Sequence, residues 1–360
     1  MYKGNLPQKE VFKLIEDHGF EKAIKLIKGS YAIVYESNGK IFAARDLLGL
    51  IPLFYDEKGF YFKKKGKELD PKKILIKEKG KISFKTRKFY SCKPEIELSE
   101  KKIVNELTKR IEDSVKKFDQ KGNGVMFSGG IDSTLIAFLL KKYKVDFTCY
   151  VAGFVQEGYK EPDDIVFAKK IAKKYGFKIK VITKNLVEVE ETLKKLIKII
   201  GERDVVKLSV GLPIYFACEA AKENNNIYSG LGSEELFAGY LRHKSSSNVN
   251  LECIKGLKLM YERDNYRDYS IAKNFNLEVK VPFLDEELVK FALRIPSEFK
   301  IDDGIEKAIL RKAAMKFGLD KEFSLRPKKA AQYGSRFMNA IDILKRKNKF
   351  KTKKEYINSL

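Results

Sequence analysis

The sequence predicts an α/β fold in which a parallel sheet carries helices on both faces, preceded by a smaller antiparallel β module. The parallel sheet is indicated from about residue 99 onward, where apolar strand-like segments alternate with helical patterns. The antiparallel module is indicated by short strand-like segments separated by turn residues between residues 29 and 64. These observations divide the chain into residues 1–95, residues 96–340 and a basic C-terminal segment at residues 341–360.

The N-terminal module opens with a helical pattern at residues 9–27. Two β-hairpins are predicted after it, with turns at Asn38-Gly39 and Lys58-Gly59, because glycine readily adopts the positive φ angles of tight hairpin turns. A basic connector with further short strands continues to about residue 95. The module is therefore predicted to be a small antiparallel β structure.

An amphipathic helix opens the larger part of the chain. Its apolar residues recur every four positions, at Ile103, Leu107, Ile111 and Val115. The strands predicted after it are 124–127, 147–154, 178–183 and 226–230, and the helices are 133–143, 162–176, 186–200 and 212–223. Ligands of such sheets bind at the carboxyl ends of the strands, so a site is expected at that edge.

The composition excludes several classes of protein. With 360 residues and 44% hydrophobic side chains, the chain can bury a sizeable core. Its apolar runs are far shorter than the roughly 20 residues that cross a bilayer, so a soluble cytoplasmic protein with no membrane partner is expected. Four cysteines without a CxxC pair and two histidines give no pattern for a zinc site or a disulfide framework. Chemistry is therefore expected from carboxylates, lysines and the backbone.

The net charge of +24 has two candidate causes, a thermophilic surface rich in ion pairs and a polyanionic partner such as RNA. The charge is concentrated in residues 63–93, which hold thirteen Lys or Arg against three acids, and in residues 344–356. A solvated surface and a nucleic-acid contact stay equally open for both, because charge runs alone are weak indicators. For residues 341–360, a disordered tail and a helix also both stay open.

The stretch "GVMFSGGIDSTLIAFLLKKY", residues 124–143, places two glycines between a predicted strand and a predicted helix. Gly129 and Gly130 allow a tight turn that brings bare N–H groups toward an anion, and the helix N-terminus adds partial positive charge. The hydroxyls of Ser128 and Ser133 can donate to phosphate oxygens. Asp132 would repel a phosphate unless a divalent cation stood between them. The stretch therefore predicts a site for a magnesium nucleotide, although it matches neither the dinucleotide nor the Walker pattern.

This S-G-G-x-D-S stretch resembles the PP-loop ATP pyrophosphatase family, whose members cleave ATP between the α and β phosphates. A second stretch, "YSGLGSEELFAGY" at residues 228–240, is similar to a motif of the synthetase domain of asparagine synthetases. Further similarities follow in order, in "RDNYRDYSIAKNFNLEVKVPFLD", "IEKAILR" and "RPKKAAQYGS". The resemblance covers residues 103 to about 340. It implies an adenine nucleotide alpha hydrolase-like fold and an enzyme that adenylates a substrate with ATP and then lets a nucleophile displace AMP.

The resemblance also implies a role for each matching position. ATP and pyrophosphate are expected to be bound by Ser128, Gly129, Gly130, Asp132, Ser133, Gly230 and Lys307, and Mg²⁺ by Asp132 and Glu234. The family usually has Asp where Glu234 stands. Lys328 matches the lysine that stabilises the tetrahedral intermediate, and Asp264 and Arg267 match a carboxylate and a cation beside it. The expected cofactors are thus ATP and Mg²⁺.

Residues 29–62, with the stretch "GSYAIVYESNGKIFAARDLLGLIPLFY", resemble the core of the glutaminase domain that asparagine synthetases carry. That domain uses an N-terminal cysteine as its nucleophile. In this sequence Met1 is followed by Tyr2, the first cysteine is Cys92, and about the first half of the domain has no counterpart. The resemblance is closest to asparagine-synthetase-domain-containing proteins with a degenerate glutaminase half, and no glutamine hydrolysis is expected.

Leu231 is the main departure from the family. Asparagine synthetases place Glu there and β-lactam-forming relatives place Tyr, whereas an isobutyl group can neither accept a proton nor hold an ammonium ion. This puts asparagine formation from aspartate in doubt and leaves adenylation unaffected. The acyl substrate and the nucleophile therefore stay open.

Three functions remain as hypotheses. The first is an AMP-forming amide ligase that uses a small carboxylate with ammonia or another amine, supplied freely or by a separate glutaminase subunit. The second is an RNA-modifying ATP pyrophosphatase, with tRNA held by the basic segments. The third is a non-catalytic ATP-binding scaffold. The oligomeric state, a homodimer among the options, is left open.

Overall fold

The computed structural model describes residues 1–118, 122–327 and 329–360. The N-terminal module comes first and contains two helices and eight strands among the described residues. In chain order they are β1 (Tyr2–Gly4), α1 (Gln8–His18), α2 (Phe20–Leu26), β2 (Tyr31–Ser37), β3 (Lys40–Arg45), β4 (Phe54–Tyr55), β5 (Phe60–Tyr61), β6 (Lys67–Glu68), β7 (Lys73–Glu78) and β8 (Lys81–Thr86).

The N-terminal module is built on antiparallel strands, as predicted. One sheet has the order β1-β2-β3-β7-β8, and a smaller sheet has the order β5-β4-β6. Both predicted hairpins are confirmed: Ser37 pairs with Lys40 across the first turn, and Tyr55 pairs with Phe60 across the second. The single helix expected at residues 9–27 is wrong, because Gly19 has a φ of +73° and separates α1 from α2.

The larger part of the chain starts with α3 and contains the parallel sheet. Its first elements are α3 (Glu100–Lys116), β9 (Asn123–Met126), α4 (Ile131–Lys142), β10 (Phe147–Phe154), α5 (Asp163–Tyr175), β11 (Ile179–Lys184), α6 (Leu186–Ile200), α7 (Val205–Ala220), β12 (Asn226–Tyr228), α8 (Ser233–Leu236), α9 (Leu241–Lys244) and α10 (Val249–Met260). A π-helix (Tyr261–Asn265), α11 (Tyr266–Asn274), β13 (Glu278–Lys280) and a 3₁₀ helix (Pro282–Leu284) follow. The last elements are α12 (Glu286–Leu293), α13 (Ser297–Lys300), β14 (Ile301–Asp302), β15 (Ile305–Glu306), α14 (Ala308–Phe317), α15 (Lys321–Ser324), α16 (Ala331–Gly334), α17 (Phe337–Lys347) and α18 (Lys353–Ser359).

The predicted α/β class is confirmed by a five-stranded parallel sheet of order β11-β10-β9-β12-β13. Its two faces are both covered, because alternate residues of β10 belong to different cores. Cys149 and Val151 pack in a core shared with α3, α4 and α5, whereas Tyr150 and Ala152 pack in a core shared with α6, α7 and α17. Since β9 and β12 are parallel neighbours, the loops that follow them lie side by side at one edge.

The basic segment at residues 341–360 is helical, so the helix is the alternative that the structure supports. It forms the end of α17 and all of α18. Ile341, Leu344, Tyr356 and Ile357 are buried against the same core as α6 and α7. Among the described residues, every helix is too short or too polar to serve as a membrane span.

Arg45 and Asp46 organise the loop at residues 46–51 in the N-terminal module. The Arg45 guanidinium is fully buried and donates to the carbonyls of Gly49, Ile51 and Leu69 at 2.7–3.0 Å. A fourth bond joins it to the Glu68 carboxylate at 2.9 Å. The Asp46 carboxylate accepts hydrogen bonds from main-chain N–H groups of the same loop. These contacts give the Arg-Asp pair a structural role in setting the loop.

The loop at residues 46–51 also contacts the π-helix of the larger part. The Asn265 side-chain amide donates to the Leu48 carbonyl at 2.8 Å. A Cβ at Gly49 would lie 2.7 Å from the Tyr261 Cβ, so glycine is required for this close approach. The N-terminal module therefore supports the segment that precedes α11.

Replacing Arg45 with methionine is expected to lower the free energy of unfolding by about 3 kcal/mol, because three buried carbonyls and a carboxylate lose their donor. The urea midpoint of unfolding measures this loss. Lys40→Met on the same strand is the matched control: its Glu78 partner and the lysine itself are both more than 40% exposed, so it should change stability by less than about 0.5 kcal/mol. Equal effects of the two substitutions would argue against this role of Arg45.

Candidate active site

The glycine turn after β9 has the backbone geometry of an anion site. Gly129 has a φ of +67°, a conformation that glycine adopts at little cost. Gly130 is the N-cap of α4, and no side chain caps the helix there. The N–H groups of the first turn can therefore bind an anion, which the helix dipole also favours.

The two serines predicted beside this turn both contact Gly130. The Ser128 Oγ accepts a hydrogen bond from the Gly130 N–H at 3.3 Å, and the Ser133 Oγ donates to the Gly130 carbonyl at 3.3 Å. Ser133 is buried and Ser128 is partly exposed. The hydroxyls thus hold the shape of the turn in the structure.

Asp132 lies against the loop that follows β12. A Cβ at Gly230 would lie 2.7 Å from the Asp132 Cβ, which is closer than side chains normally approach. The absence of a side chain at Gly230 is what allows the two neighbouring loops to meet. Gly230, predicted from the second motif, is thus placed beside the first motif.

Lys307 brings the two motifs together through its ammonium group. It lies between the β14–β15 hairpin and α14, with a left-handed φ of +57° that is uncommon for a residue other than glycine. Its Nζ is 2.6 and 2.8 Å from the Asp132 carboxylate oxygens, 2.7 Å from Glu234 Oε1 and 3.1 Å from Ser233 Oγ. We call Asp132, Glu234 and Lys307 the carboxylate–lysine cluster.

The carboxylate–lysine cluster keeps Lys307 charged. Burial acts to lower the pKa of Lys307, but the nearby Asp132 and Glu234 carboxylates outweigh it and raise the pKa above its ordinary value. The lysine side chain is 2% exposed, while each carboxylate is about one fifth exposed. The positive charge is therefore buried and the two carboxylates face outward.

Asp264 and Arg267 form a second charged group on the π-helix and α11. Arg267 donates to Asp264 at 3.1 Å and to Asp268 at 2.7 Å, and Arg263 donates to Asp264 at 2.5 Å. A π-helical turn often marks a functional segment, because it re-aims side chains within a helix. Arg263 also pairs with Glu235. Since Glu235 follows Glu234 directly, this second group adjoins the carboxylate–lysine cluster.

Leu231 belongs to the second motif and lines a large cavity. The cavity has a volume of about 1540 Å³ and is lined by residues of both the N-terminal module and the larger part of the chain. Leu231, Asp46, Asn265 and Asp268 are among its lining residues. The departure noted in the sequence is therefore an apolar side chain that lines this cavity, one residue from Gly230.

Most of the residues predicted for the site lie close together. The structure brings Ser128, Gly129, Gly130, Asp132, Ser133, Gly230, Glu234 and Lys307 together, with Asp264 and Arg267 adjoining them. Lys328, predicted to be catalytic, lies outside the described residues. The sequence reasoning did not single out Glu235, Arg263, Gly239 or Asp164. Gly239 and Glu235 could have been found within the second motif, and Arg263 could have been found at the start of the stretch that follows it.

The comparison with protein families agrees with this geometry. A family model described as asparagine synthase matches residues 106–255 and 246–346, which cover the carboxylate–lysine cluster and both motifs. The chain belongs to the asparagine synthase family. The predicted resemblance to asparagine synthetases is thereby confirmed.

Relatives of this asparagine synthase family member extend the likeness over most of its length. A putative glutamine-hydrolysing asparagine synthetase of Methanocaldococcus jannaschii is 29% identical, over 88% of this chain and 70% of the relative. The glutamine-hydrolysing asparagine synthetase of Rattus norvegicus is 28% identical, over 92% of this chain and 68% of the relative. Both alignments run into the N-terminal module, since they exceed the region matched by the family model.

Solved structures give a more distant likeness. An NMN synthetase from Francisella tularensis is 14% identical, covers 71% of this chain and 98% of its own, and has a TM-score of 0.30. An ammonia-dependent NAD synthetase from Campylobacter jejuni is 17% identical, covers 56% and 96%, and has a TM-score of 0.28.

The donor set of the carboxylate–lysine cluster fits a magnesium nucleotide. Asp132 and Glu234 each have an oxygen within 2.8 Å of the same nitrogen, so two carboxylates converge on one point. Within residues 1–118, 122–327 and 329–360, no group of three or more His, Cys, Asp or Glu side chains is arranged to hold a metal. Mg²⁺ is commonly held by one or two carboxylates plus phosphates and waters, which is the pattern that this pair offers.

Proposed function

We propose that this asparagine synthase family member is an AMP-forming amide ligase that adenylates a small carboxylate with ATP and transfers the acyl group to ammonia or another amine. The single observation that carries the proposal is the contact of Lys307 with both Asp132 and Glu234 beside the uncapped start of α4. This arrangement places an anion site, two metal-type carboxylates and a buried cation together. Such a combination suits a substrate with several phosphates.

The reaction has two steps. In the first, a carboxylate oxygen of the acyl substrate attacks the α-phosphorus of ATP, forming an acyl-adenylate and releasing pyrophosphate. In the second, the amine nitrogen attacks the acyl carbon, and AMP leaves as the amide forms. The proton released by the amine passes to solvent.

The residues of the chain have separate roles in this proposal. The first-turn N–H groups after Gly130 bind the β and γ phosphates, and Lys307 stabilises the negative charge that pyrophosphate gains as it leaves. Asp132 and Glu234 would hold Mg²⁺, which shields the phosphate charges from those carboxylates. Lys328 is proposed to stabilise the tetrahedral intermediate, with Asp264 and Arg267 beside it.

The nucleophile is proposed to be supplied without glutamine hydrolysis by this chain. Support comes from the four cysteines of the sequence, which are all buried thiols. Burial raises the pKa of the thiol of Cys149, of Cys218 and of Cys253, which disfavours nucleophilic thiolates. Ammonia would come from solution or from a separate glutaminase subunit, and the compartment is proposed to be the cytoplasm.

An ATP–pyrophosphate exchange assay with a panel of carboxylates, including aspartate, tests the proposal. Exchange that depends on one carboxylate, followed by amide and AMP formation on addition of ammonia, is the expected result. Formation of ADP in place of AMP would contradict it. Exchange or AMP formation only with bulk tRNA, together with salt-sensitive tRNA binding, would replace it by the RNA-modifying alternative. ATP binding without exchange or AMP formation under any of these conditions would leave the non-catalytic ATP-binding scaffold.

A further inference from the structure

Asp164 is a buried carboxylate in the first turn of α5, and it has no role in the reaction steps above. Its side chain is 6% exposed and its Oδ1 accepts a hydrogen bond from Arg326 Nη2 at 2.9 Å. A Cβ at Gly334 would lie 2.4 Å from the same Oδ1. One carboxylate therefore contacts Arg326 and lies against Gly334, and both of these residues belong to the stretch "RPKKAAQYGS".

Arg326 joins Asp164 to the phosphate-binding turn. Its Nη1 donates to the Ser128 carbonyl at 2.8 Å, and its guanidinium stacks over the Phe167 ring at 4.1 Å. A Cβ at Gly129 would lie 3.1 Å from Nη1, so the guanidinium lies directly against the turn. The planar guanidinium can hold two partners in fixed directions, which a lysine ammonium at this position would not do as well.

Arg326 is also connected to the helix that begins after Lys307. The Arg311 Nη1, on α14, donates to the Arg326 carbonyl at 3.0 Å and to the Ser324 carbonyl at 2.6 Å. The main chain at Arg326 is thus fixed by α14, and its side chain is fixed by Asp164. A single residue links α5, α14 and the turn between β9 and α4.

We propose that Asp164 is a positioning residue that orients Arg326 and thereby holds the phosphate-binding turn in place for release of pyrophosphate. It acts without touching the substrate. The inference rests on the proposed function, because it assigns Asp164 to the adenylation site. Residues of this kind fix the direction of the groups that bind the ligand, and their loss usually costs about ten- to a hundredfold in affinity or rate.

The charged surroundings of Asp164 predict a dependence on pH. It is faced by Arg326 and Lys329 from the C-terminal segment and by Asp163 from its own helix. Burial raises the pKa of Asp164 to about 6, against the opposing effect of Arg326. The carboxylate form that Arg326 needs is therefore lost as the pH falls through about 6.

The effect on stability has the opposite sign. Because the pKa in the folded state is above the ordinary value of 3.8, the folded state binds more protons than the unfolded state between pH 4 and 6. Protonation of Asp164 in that window therefore stabilises the fold while it weakens the ion pair. A loss of activity from this group near pH 6 would not be a loss of folded protein.

Asp164→Asn and Asp163→Asn form a matched pair of variants for the test. Both remove one carboxylate from the first turn of α5, but Asp163 is 44% exposed and pairs with the exposed Lys329. We expect Asp164→Asn to lower the exchange rate, and to weaken the binding of inorganic pyrophosphate with Mg²⁺, by about ten- to a hundredfold. Asp163→Asn should leave both unchanged. The wild-type loss of activity near pH 6 should become smaller in Asp164→Asn, although Asp268, whose pKa is also raised to about 6, still titrates there.

Arg326→Lys keeps the inference testable if Asp164→Asn does not fold. It retains the charge and should lower pyrophosphate affinity to a similar extent, and the double variant should be no weaker than the weaker single variant. Unchanged pyrophosphate affinity and exchange in folded Asp164→Asn would overturn the inference and leave the proposed function intact. Pyrophosphate binding that depends on Asp164, with no exchange by the wild type for any carboxylate, would overturn the proposed function and support the inference.

Discussion

Replacing Lys307 with methionine is expected to lower the ATP–pyrophosphate exchange rate by about 100-fold or more, because one preorganised cation is lost where charge develops on the leaving group. The same change leaves Asp132 and Glu234 without the ammonium that contacts both. The free energy of unfolding should therefore fall by about 2 kcal/mol. This loss is smaller than for a fully buried ion pair, because about a fifth of each carboxylate side chain is exposed. Exchange assays and urea unfolding measure the two effects.

Lys312→Met is the control for that substitution. Lys312 lies on the same helix, α14, and pairs with the exposed Glu100 and Asp302. It should change stability by less than about 0.5 kcal/mol and leave exchange unaffected. Mg²⁺ alone should raise the Tm of Lys307→Met more than that of the wild type, because the two carboxylates then lack a cation. If Lys307→Met exchanged pyrophosphate at the wild-type rate, Lys307 would have no role in the reaction.

Replacing Gly239 with alanine should be nearly as damaging, although the change adds one methyl group. Its Cβ would lie 1.9 Å from Glu234 Oε2 and 2.3 Å from Lys307 Cε, so both side chains must move. Overpacking of this kind costs about 1–3 kcal/mol of stability. A displacement of about 1 Å at a reacting centre can lower the rate about 100-fold. Exchange assays and urea unfolding of the same preparation test both parts.

Gly211→Ala separates this steric effect from the general cost of replacing a glycine. Gly211 lies within α7, and a Cβ there would meet Ile271 at 3.4 Å, an ordinary contact. The substitution should leave exchange unchanged and raise stability by up to about 1 kcal/mol, since alanine is the better helix former. If Gly239→Ala behaved in the same way, the close packing around Lys307 would be tolerant of change and the expected effect would be wrong.

The fold and the position of the glycine turn after β9 could be predicted from the sequence because both depend on local patterns. The alternation of strands and helices predicts a parallel sheet. Gly129 and Gly130 then predict a tight turn at the carboxyl end of one of its strands. Asp132 belongs to that local pattern. Lys307 could be assigned only through the likeness of its motif, because nothing local shows that a residue 175 positions away reaches Asp132.

The misses have tertiary causes. Asp164 acquires its partner from a segment distant in the chain, so no spacing in the sequence marks it. Helix α7 begins at Val205 and continues through Pro213, whereas a start at residue 212 was expected. Leu208 and Cys218, which lie on either side of Pro213 in this helix, are both fully buried, and this packing outweighs the cost of proline. The division of helix 9–27 at Gly19 is the exception, because that glycine was visible in the sequence.

The contacts between the loop at residues 46–51 and the π-helix limit how far this chain can be trimmed. The region that the family model matches begins at residue 106 and so excludes the loop. Without it, Asn265 would lose the Leu48 carbonyl, and Tyr261 would lose the glycine surface that it packs on, one to three residues from Asp264. The region that the family model matches is therefore expected not to keep the geometry of the site on its own. A shortened chain that keeps this geometry should include the loop at residues 46–51 of the N-terminal module.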